Sequence, residues 1–202
     1  MLTNLYMKYF LIGIFAFIMS SCVYEKMTHL DSDDMEWINV YEPKDTSIFC
    51  SDRQNIDTLI VLSKTIENSQ CPFYFDTYST EYLASGCIGY YLYGTRDSIH
   101  GIVWFDKFYN DTTVVQSFRL GHFSSLLFNY NIPMPRKVCS LSVDNTTYDN
   151  CIVIDTICAN WDRYYIPDST DISKFVWSKE HGLIMYEQIN GETFSLVKQL
   201  GY

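Results

Sequence analysis

Cysteine is the most reactive side chain in this sequence, and its seven copies fall into two groups. Cys22 stands alone, directly after an apolar run and two small polar residues, Ser20 and Ser21. The other six are spread along the rest of the chain at Cys50, Cys71, Cys87, Cys139, Cys151 and Cys158. An even number of cysteines in an oxidising compartment is typical of disulfides, but the sequence alone does not fix their connectivity.

One pair of cysteines has a spacing that favours a bond. Cys139 and Cys151 flank residues 144–146 symmetrically, as directly opposed residues of a β-hairpin would. Opposed strand residues lie about 4.5–5.5 Å apart at Cα, within reach of a disulfide. We therefore predict a Cys139–Cys151 disulfide, with buried free thiols as the alternative. The cysteine and histidine spacing of zinc sites does not occur, and we expect no metal and no cofactor.

A Ser-His-Asp catalytic set would have to come from residues that are distant in sequence. The candidates are Ser124 and Ser125, His100 and His122, and Asp97 and Asp106. The sequence has no GxSxG nucleophile elbow, HExxH motif, P-loop or GxGxxG motif. Since a triad is defined by its geometry, these residues alone predict no catalytic site, and a surface hydrolase is only the alternative interpretation.

The N-terminal residues have the composition of an export signal. Lys8 precedes an apolar run at 9–19, and two serines then precede Cys22. The run is shorter than the roughly 20 apolar residues of a transmembrane helix. We predict that residues 1–21 are a signal peptide, with either Met1 or Met7 as the first residue of the precursor.

Met19-Ser20-Ser21-Cys22 resembles a lipobox, the motif at which lipoprotein signal peptidase cleaves. Met and Ser stand where Leu and Ala or Gly are usual, which is similar to the looser lipoboxes of Bacteroidota. The resemblance implies cleavage between Ser21 and Cys22 and fatty acylation of Cys22, palmitate included. It also implies a protein anchored by lipid to the outer membrane, facing the periplasm or the cell surface.

Acidic residues dominate the stretch that follows Cys22. Residues 22–45 show little apolar periodicity, so we predict an acidic tether there and a single β-rich domain at 46–202. The whole chain has a formal net charge of −10 and no basic stretch, which argues against a nucleic-acid partner.

Five Asp-Ser or Asp-Thr pairs continue with Ile, Leu or Thr. This pattern resembles the O-glycosylation sequon of exported Bacteroidota proteins. The implied acceptors are Thr58, Ser98, Thr112, Thr156 and Ser169. The alternative is that these pairs are ordinary turn residues.

Short apolar runs between turn signals predict a mainly β fold. We expect an antiparallel, sandwich-like sheet with minor helical decoration, and α+β as the alternative. The clearest element is a hairpin of 182–189 and 192–198, with a type I′ turn predicted at Asn190-Gly191. His181-Gly182 predicts a second hairpin, which pairs 175–177 with 183–185.

The C-terminal third adds a second resemblance. A strand at 147–154, a hairpin beginning at 175–184, and Gly191, Glu192 and Leu196 follow one another in order. Together they resemble the end of many small Bacteroidota lipoproteins of unknown function. The resemblance implies a β-sheet lipoprotein domain and carries no catalytic residues.

Aromatic residues make up 17% of the chain and are concentrated in one region. The cluster consists of Tyr90, Tyr91, Tyr93, Trp104, Phe105, Phe108 and Tyr109. Exposed aromatic rings bind sugars and peptides, whereas buried ones form a core. We expect a non-catalytic binding or envelope-interaction module, with an envelope protein or a glycan as partner. A surface hydrolase and an assembly subunit of an envelope complex are the alternatives.

Overall fold

The fold is described from a computed structural model that covers residues 26–68, 81–82, 84–94, 98–107, 114–125 and 138–201. These residues form one short helix and fourteen strands, which confirms the mainly β prediction. Twelve strands form one antiparallel sheet, and the other two, β1 (Lys26–Met27) and β4 (Glu81–Tyr82), form a parallel pair. In the described part of the chain, no helix is long and apolar enough to cross a membrane.

The strands of the large sheet are mostly six to nine residues long, and β3 is the longest. In chain order they are β2 (Thr46–Ser51), β3 (Ile56–Glu67), β5 (Ser85–Tyr93), β6 (Ile99–Lys107), β7 (Val114–Leu120), β8 (Phe123–Ser124), β9 (Val138–Val143), β10 (Thr146–Ile154), β11 (Asn160–Trp161), β12 (Ile172–Ser178), β13 (Gly182–Gln188) and β14 (Thr193–Leu200). Their order across the sheet is β11-β8-β7-β6-β5-β3-β2-β14-β13-β12-β10-β9.

The sheet curls so that its two halves face each other across one core. Trp177 of β12 lies 6.1 Å from the ring of Tyr90 in β5 and 5.8 Å from the ring of Phe118 in β7, measured between centroids. These strands are far apart in the sheet order, so only a curled sheet brings them into contact. Trp177 is completely buried, and its side chain packs between the two facing halves of the sheet.

Both predicted C-terminal hairpins are present, but the predicted turn type is wrong for one of them. Between β13 and β14, Gly191 has φ of 80°, whereas Asn190 is not among the residues with positive φ. Gly191 N donates to Gln188 O at 2.9 Å, and Gln188 N donates to Glu192 O at 2.9 Å. This is a three-residue loop that ends in a glycine bulge, a common hairpin alternative to the two-residue type I′ turn.

Two consecutive positive φ values occur instead in the β9–β10 hairpin. Asp144 has φ of 46° and Asn145 has φ of 69°. Asn and Asp tolerate this left-handed conformation better than other non-glycine residues. The two-residue turn aligns Val143 with Thr146, and a register shift between Tyr148 and Cys151, where Asn150 has φ of 52°, then places Cys151 opposite Cys139.

The predicted tether at 22–45 is wrong over residues 28–41, which belong to the folded domain. Helix α1 (Ser32–Glu36) begins with a capping box in which Asp34 N donates to Asp31 Oδ1 at 2.9 Å. The apolar side chains around the helix are buried in the main core: Leu30, Trp37, Ile38 and Tyr41. Asp31, Asp33 and Glu36 between them are exposed, which gives the stretch the composition of a tether although its apolar side chains are packed.

Hydrogen bonds and ion pairs fasten this N-terminal segment to the sheet. Thr28 Oγ1 donates to Lys107 O at 3.0 Å and accepts from Ala84 N at 2.8 Å. The buried Lys107 ammonium lies 3.1 Å from Asp34 Oδ2 and 3.5 Å from Asp31 Oδ2. The folded domain therefore starts no later than residue 28, while Cys22 lies outside the described residues.

Gly182, at the start of β13, makes room for the N-terminal segment. Its φ is +70°, and a Cβ at this position would lie 2.3 Å from the ring of Tyr41. The residue therefore serves both as a turn and as a point of close backbone approach. The Tyr41 ring in turn packs edge-on against Trp177, with centroids 5.7 Å apart.

Candidate functional site

A cleft of about 880 Å³ opens at the end of the sheet where β6 begins and β7 ends. Ile99 and His100 line it from β6, and Arg119 and Leu120 line it from β7. The opposite wall comes from β8, β11 and the segment before β12, with Phe123, Trp161, Tyr165, Asp168, Thr170 and Asp171. Its volume is in the range typical of small-molecule sites.

A His-Asp-Arg cluster stands at one side of the cleft. His122 lies in the β7–β8 turn, and its Nδ1 is 2.9 Å from Asp162 Oδ2. Arg119 Nη2 donates to the same carboxylate oxygen at 2.9 Å, and Arg119 Nε donates to Gly121 O at 2.7 Å. A carboxylate beside Nδ1 favours the tautomer with its proton on Nδ1. That tautomer makes Nε2 an acceptor, and Nε2 has no hydrogen-bond partner within the described part of the chain.

Tyr165 forms the aromatic side of the same cluster. Its ring stacks on His122 with centroids 3.8 Å apart, and its hydroxyl donates to the Asp171 carboxylate at 2.9 Å. Partial burial, together with this hydrogen bond and the charge of Asp171, raises the pKa of Tyr165 to about 12. Tyr165 is therefore neutral at physiological pH and fixes the position of both its neighbours.

The cleft has an acidic and aromatic character. Asp168 and Asp171 contribute two carboxylates, against the single guanidinium of Arg119, which is itself paired with Asp162. Trp161 adds a second ring, which is oriented by the bond from its Nε1 to Ile172 O at 3.2 Å. Such a site suits a neutral ligand with many hydroxyl donors and an apolar face, and it disfavours an anion.

Among the described residues, those considered for a Ser-His-Asp set form no hydrogen bonds with one another. Phe118 N donates to Ser125 Oγ at 3.0 Å, and Ser125 Oγ donates to Phe118 O at 3.3 Å. The Ser125 hydroxyl therefore has a structural role. Asp106 lies toward the far end of β6, where burial raises the pKa of its carboxyl. Asp97 lies outside the described residues. The acid that pairs with His122 is Asp162, which was not among the sequence candidates.

The remaining candidates are also placed by the structure. Ser124 is buried in β8, and His100 both lines the cleft and packs against Tyr91 with ring centroids 5.3 Å apart. In the described ranges, no group of three or more His, Cys, Asp or Glu side chains could hold a metal ion.

The aromatic cluster is divided between the two faces of the sheet. Tyr90 and Phe105 are completely buried in the core. Tyr93 and Trp104 lie on the outer face and are each 45% exposed, because successive residues of a strand point to opposite sides. Phe108 and Tyr109 lie outside the described residues.

Cys139 and Cys151 are directly opposed in the β9–β10 hairpin, as predicted, although the register shift after Tyr148 and not a turn centred on residue 145 pairs them. Both are thiols in the structure. Burial, together with the neighbouring Cys139, raises the pKa of Cys151 to about 11, so this thiol is protonated at neutral pH. The disulfide between them stays a prediction, and Cys71 lies outside the described residues.

Three of the five predicted glycan acceptors are exposed. Thr156 and Ser169 lie on the segment between β10 and β12, and Ser98 lines the cleft. Thr58 is partly buried in β3, and Thr112 lies outside the described residues. Glycosylation at these positions stays a prediction.

Comparisons of the chain with protein-family models, curated protein sequences and solved structures found no match.

Proposed function

We propose that this chain is a non-catalytic lipoprotein, anchored to the outer membrane through acylated Cys22, that binds a neutral saccharide in its cleft. The observation that carries the binding role is the cluster of Tyr165, His122 and Asp171 beside Trp161 in a cleft of about 880 Å³. The lipid anchor is supported by the apolar run and small residues that precede Cys22.

The chemistry of a saccharide fits each element of the cleft. Its hydroxyls can donate to carboxylate oxygens of Asp168 and Asp171 and to the acceptor Nε2 of His122. Its C–H faces are apolar and can pack on the rings of Trp161 and Tyr165. The excess of carboxylates over guanidinium favours a neutral sugar over a uronic acid or a sugar phosphate.

Removing one aromatic side chain of the cleft will weaken saccharide binding. We expect Tyr165→Ala to weaken the affinity for a neutral oligosaccharide at least tenfold, which equals about 1.4 kcal/mol. The variant loses the ring itself and also its contacts with His122 and Asp171. A glycan array run with the intact protein identifies the ligand, and titration calorimetry measures the affinity of each variant.

Tyr164→Ala is the matched control, since Tyr164 is the neighbouring tyrosine, is 88% exposed and does not line the cleft. We expect it to bind like the wild type. Equal affinities for Tyr165→Ala and Tyr164→Ala would refute the assignment of the site, as would an array without any neutral glycan bound.

The His122–Asp162 pair supports a hydrolase as the second candidate function, because a carboxylate at Nδ1 is the arrangement that orients a histidine base. The same binding experiment separates the two functions. Mass spectrometry of the saccharide after incubation returns it intact if the protein only binds, and cleaved if the protein is an enzyme.

A further inference from the structure

We propose that one particular end of the domain lies against the lipid surface, so that the cleft opens away from the membrane. The end in contact with lipid is the end of the sheet covered by residues 28–45, called here the capped end. The proposal rests on the acylation of Cys22 under the proposed function. The capped end is then an interaction surface, and its partner is the headgroup layer of the membrane that holds the anchor.

Strand β6 connects the two ends of the domain. It runs from Ile99, at the cleft, to Lys107, which holds Thr28 and α1. Its neighbours run alongside it, since Ser85 of β5 pairs with Asp106 and Leu120 of β7 pairs with Gly101. Eight residue steps at about 3.3 Å each place the cleft about 26 Å from the Lys107 backbone.

The N-terminal segment is fixed at the capped end by several independent contacts. Thr28 bonds to Lys107 O and Ala84 N, and Leu30 is buried beside it. Helix α1 is held between two lysines, with Asp34 on Lys107 and Glu36 on Lys179 at 2.8 Å. Lys179 stands in the turn between β12 and β13, so the segment crosses the end of both halves of the curled sheet.

The short chain between Cys22 and Thr28 determines which end faces the lipid. Six residue steps span at most about 20 Å when fully extended. This is less than the length of β6, so the anchor does not reach the level of the cleft even if the chain runs backwards along the domain. The capped end consequently lies at the headgroups, and the cleft is presented to the aqueous space.

Site-specific photocrosslinking tests the orientation. The photoreactive residue benzoylphenylalanine is introduced at one of two positions. It replaces either Asp33 at the capped end or Tyr164, which directly precedes the cleft residue Tyr165. The full acylated protein is reconstituted into vesicles of phosphatidylethanolamine and phosphatidylcholine and then irradiated. We expect phospholipid adducts at position 33 in at least tenfold excess over position 164.

Intact mass of the same samples shows separately whether the acyl chains are present. If the acylated protein forms as many lipid adducts at position 164 as at position 33, or none at either position, the proposed orientation is wrong. The lipid anchor is unaffected by that result. A protein without the acyl mass overturns the anchor itself, and the orientation with it.

Discussion

A chain that begins at residue 46 will fail to form the native sheet. It lacks four side chains that are buried in the main core: Leu30, Trp37, Ile38 and Tyr41. Burial of each large apolar side chain stabilises a fold by about 1.5–3 kcal/mol. Their sum is comparable with the whole free energy of unfolding of a typical domain, about 5–15 kcal/mol.

Circular dichroism and urea denaturation of chains 46–202 and 26–202 make this comparison directly. We expect 26–202 to unfold cooperatively with the midpoint of the chain that begins at Cys22, because it keeps the docked segment. A cooperative transition of 46–202 at that same midpoint would show that residues 28–41 are dispensable, as a tether would be.

Replacement of Trp177 by alanine will cause the largest loss among single substitutions in the core. Trp177 contacts Tyr41 of the N-terminal segment, Tyr90 of β5 and Phe118 of β7. A cavity at this point separates the two halves of the sheet and the segment that covers its end. We expect Trp177→Ala to lower the free energy of unfolding by about 3–5 kcal/mol.

Trp177→Phe is the control for this substitution. The Trp177 indole N–H is buried without a hydrogen-bond partner in the parts of the chain that the structure describes. Phenylalanine keeps an aromatic ring and removes that donor, so it should cost less than half as much as alanine. Denaturation followed by circular dichroism measures both variants, and equal losses for the two would mean that the ring contacts do not close the sheet.

The regular part of the fold follows from local sequence patterns. The mainly β fold and both C-terminal hairpins were predicted from turn residues and apolar runs. Once β5 is known to be a strand, its period of two already separates Tyr90 from Tyr91. The turn type at Asn190-Gly191 was wrong because the hairpin uses a three-residue loop, and the dipeptide does not distinguish the two loops.

The N-terminal segment shows what composition can conceal. The four buried side chains, at residues 30, 37, 38 and 41, all lie outside α1, which has no buried residue of its own. Helical periodicity therefore does not explain their burial, and the surrounding acidic residues made the stretch look unstructured. Two of these acidic residues stabilise the folded segment, since Asp31 caps α1 and Asp34 pairs with the buried Lys107.

The cleft could not be assembled from the sequence. His122 and Asp162 are 40 residues apart and meet because two-residue strands, β8 and β11, pair at the edge of the sheet. Pairs this short leave no periodic signal. Tyr165 N donates to Asp162 O at 2.8 Å in a local turn, but the stacking of its ring on His122 depends on the pairing of β8 with β11.

Fatty-acid labelling at Cys22 tests the anchored, cleft-bearing lipoprotein most directly. Cells that express the full chain are grown with a clickable fatty acid, and the protein is compared with its Cys22→Ala and Cys50→Ala variants. We expect label and membrane fractionation for the wild type and for Cys50→Ala, and the loss of both for Cys22→Ala. An unlabelled wild-type protein that fractionates identically to Cys22→Ala would contradict the lipid anchor.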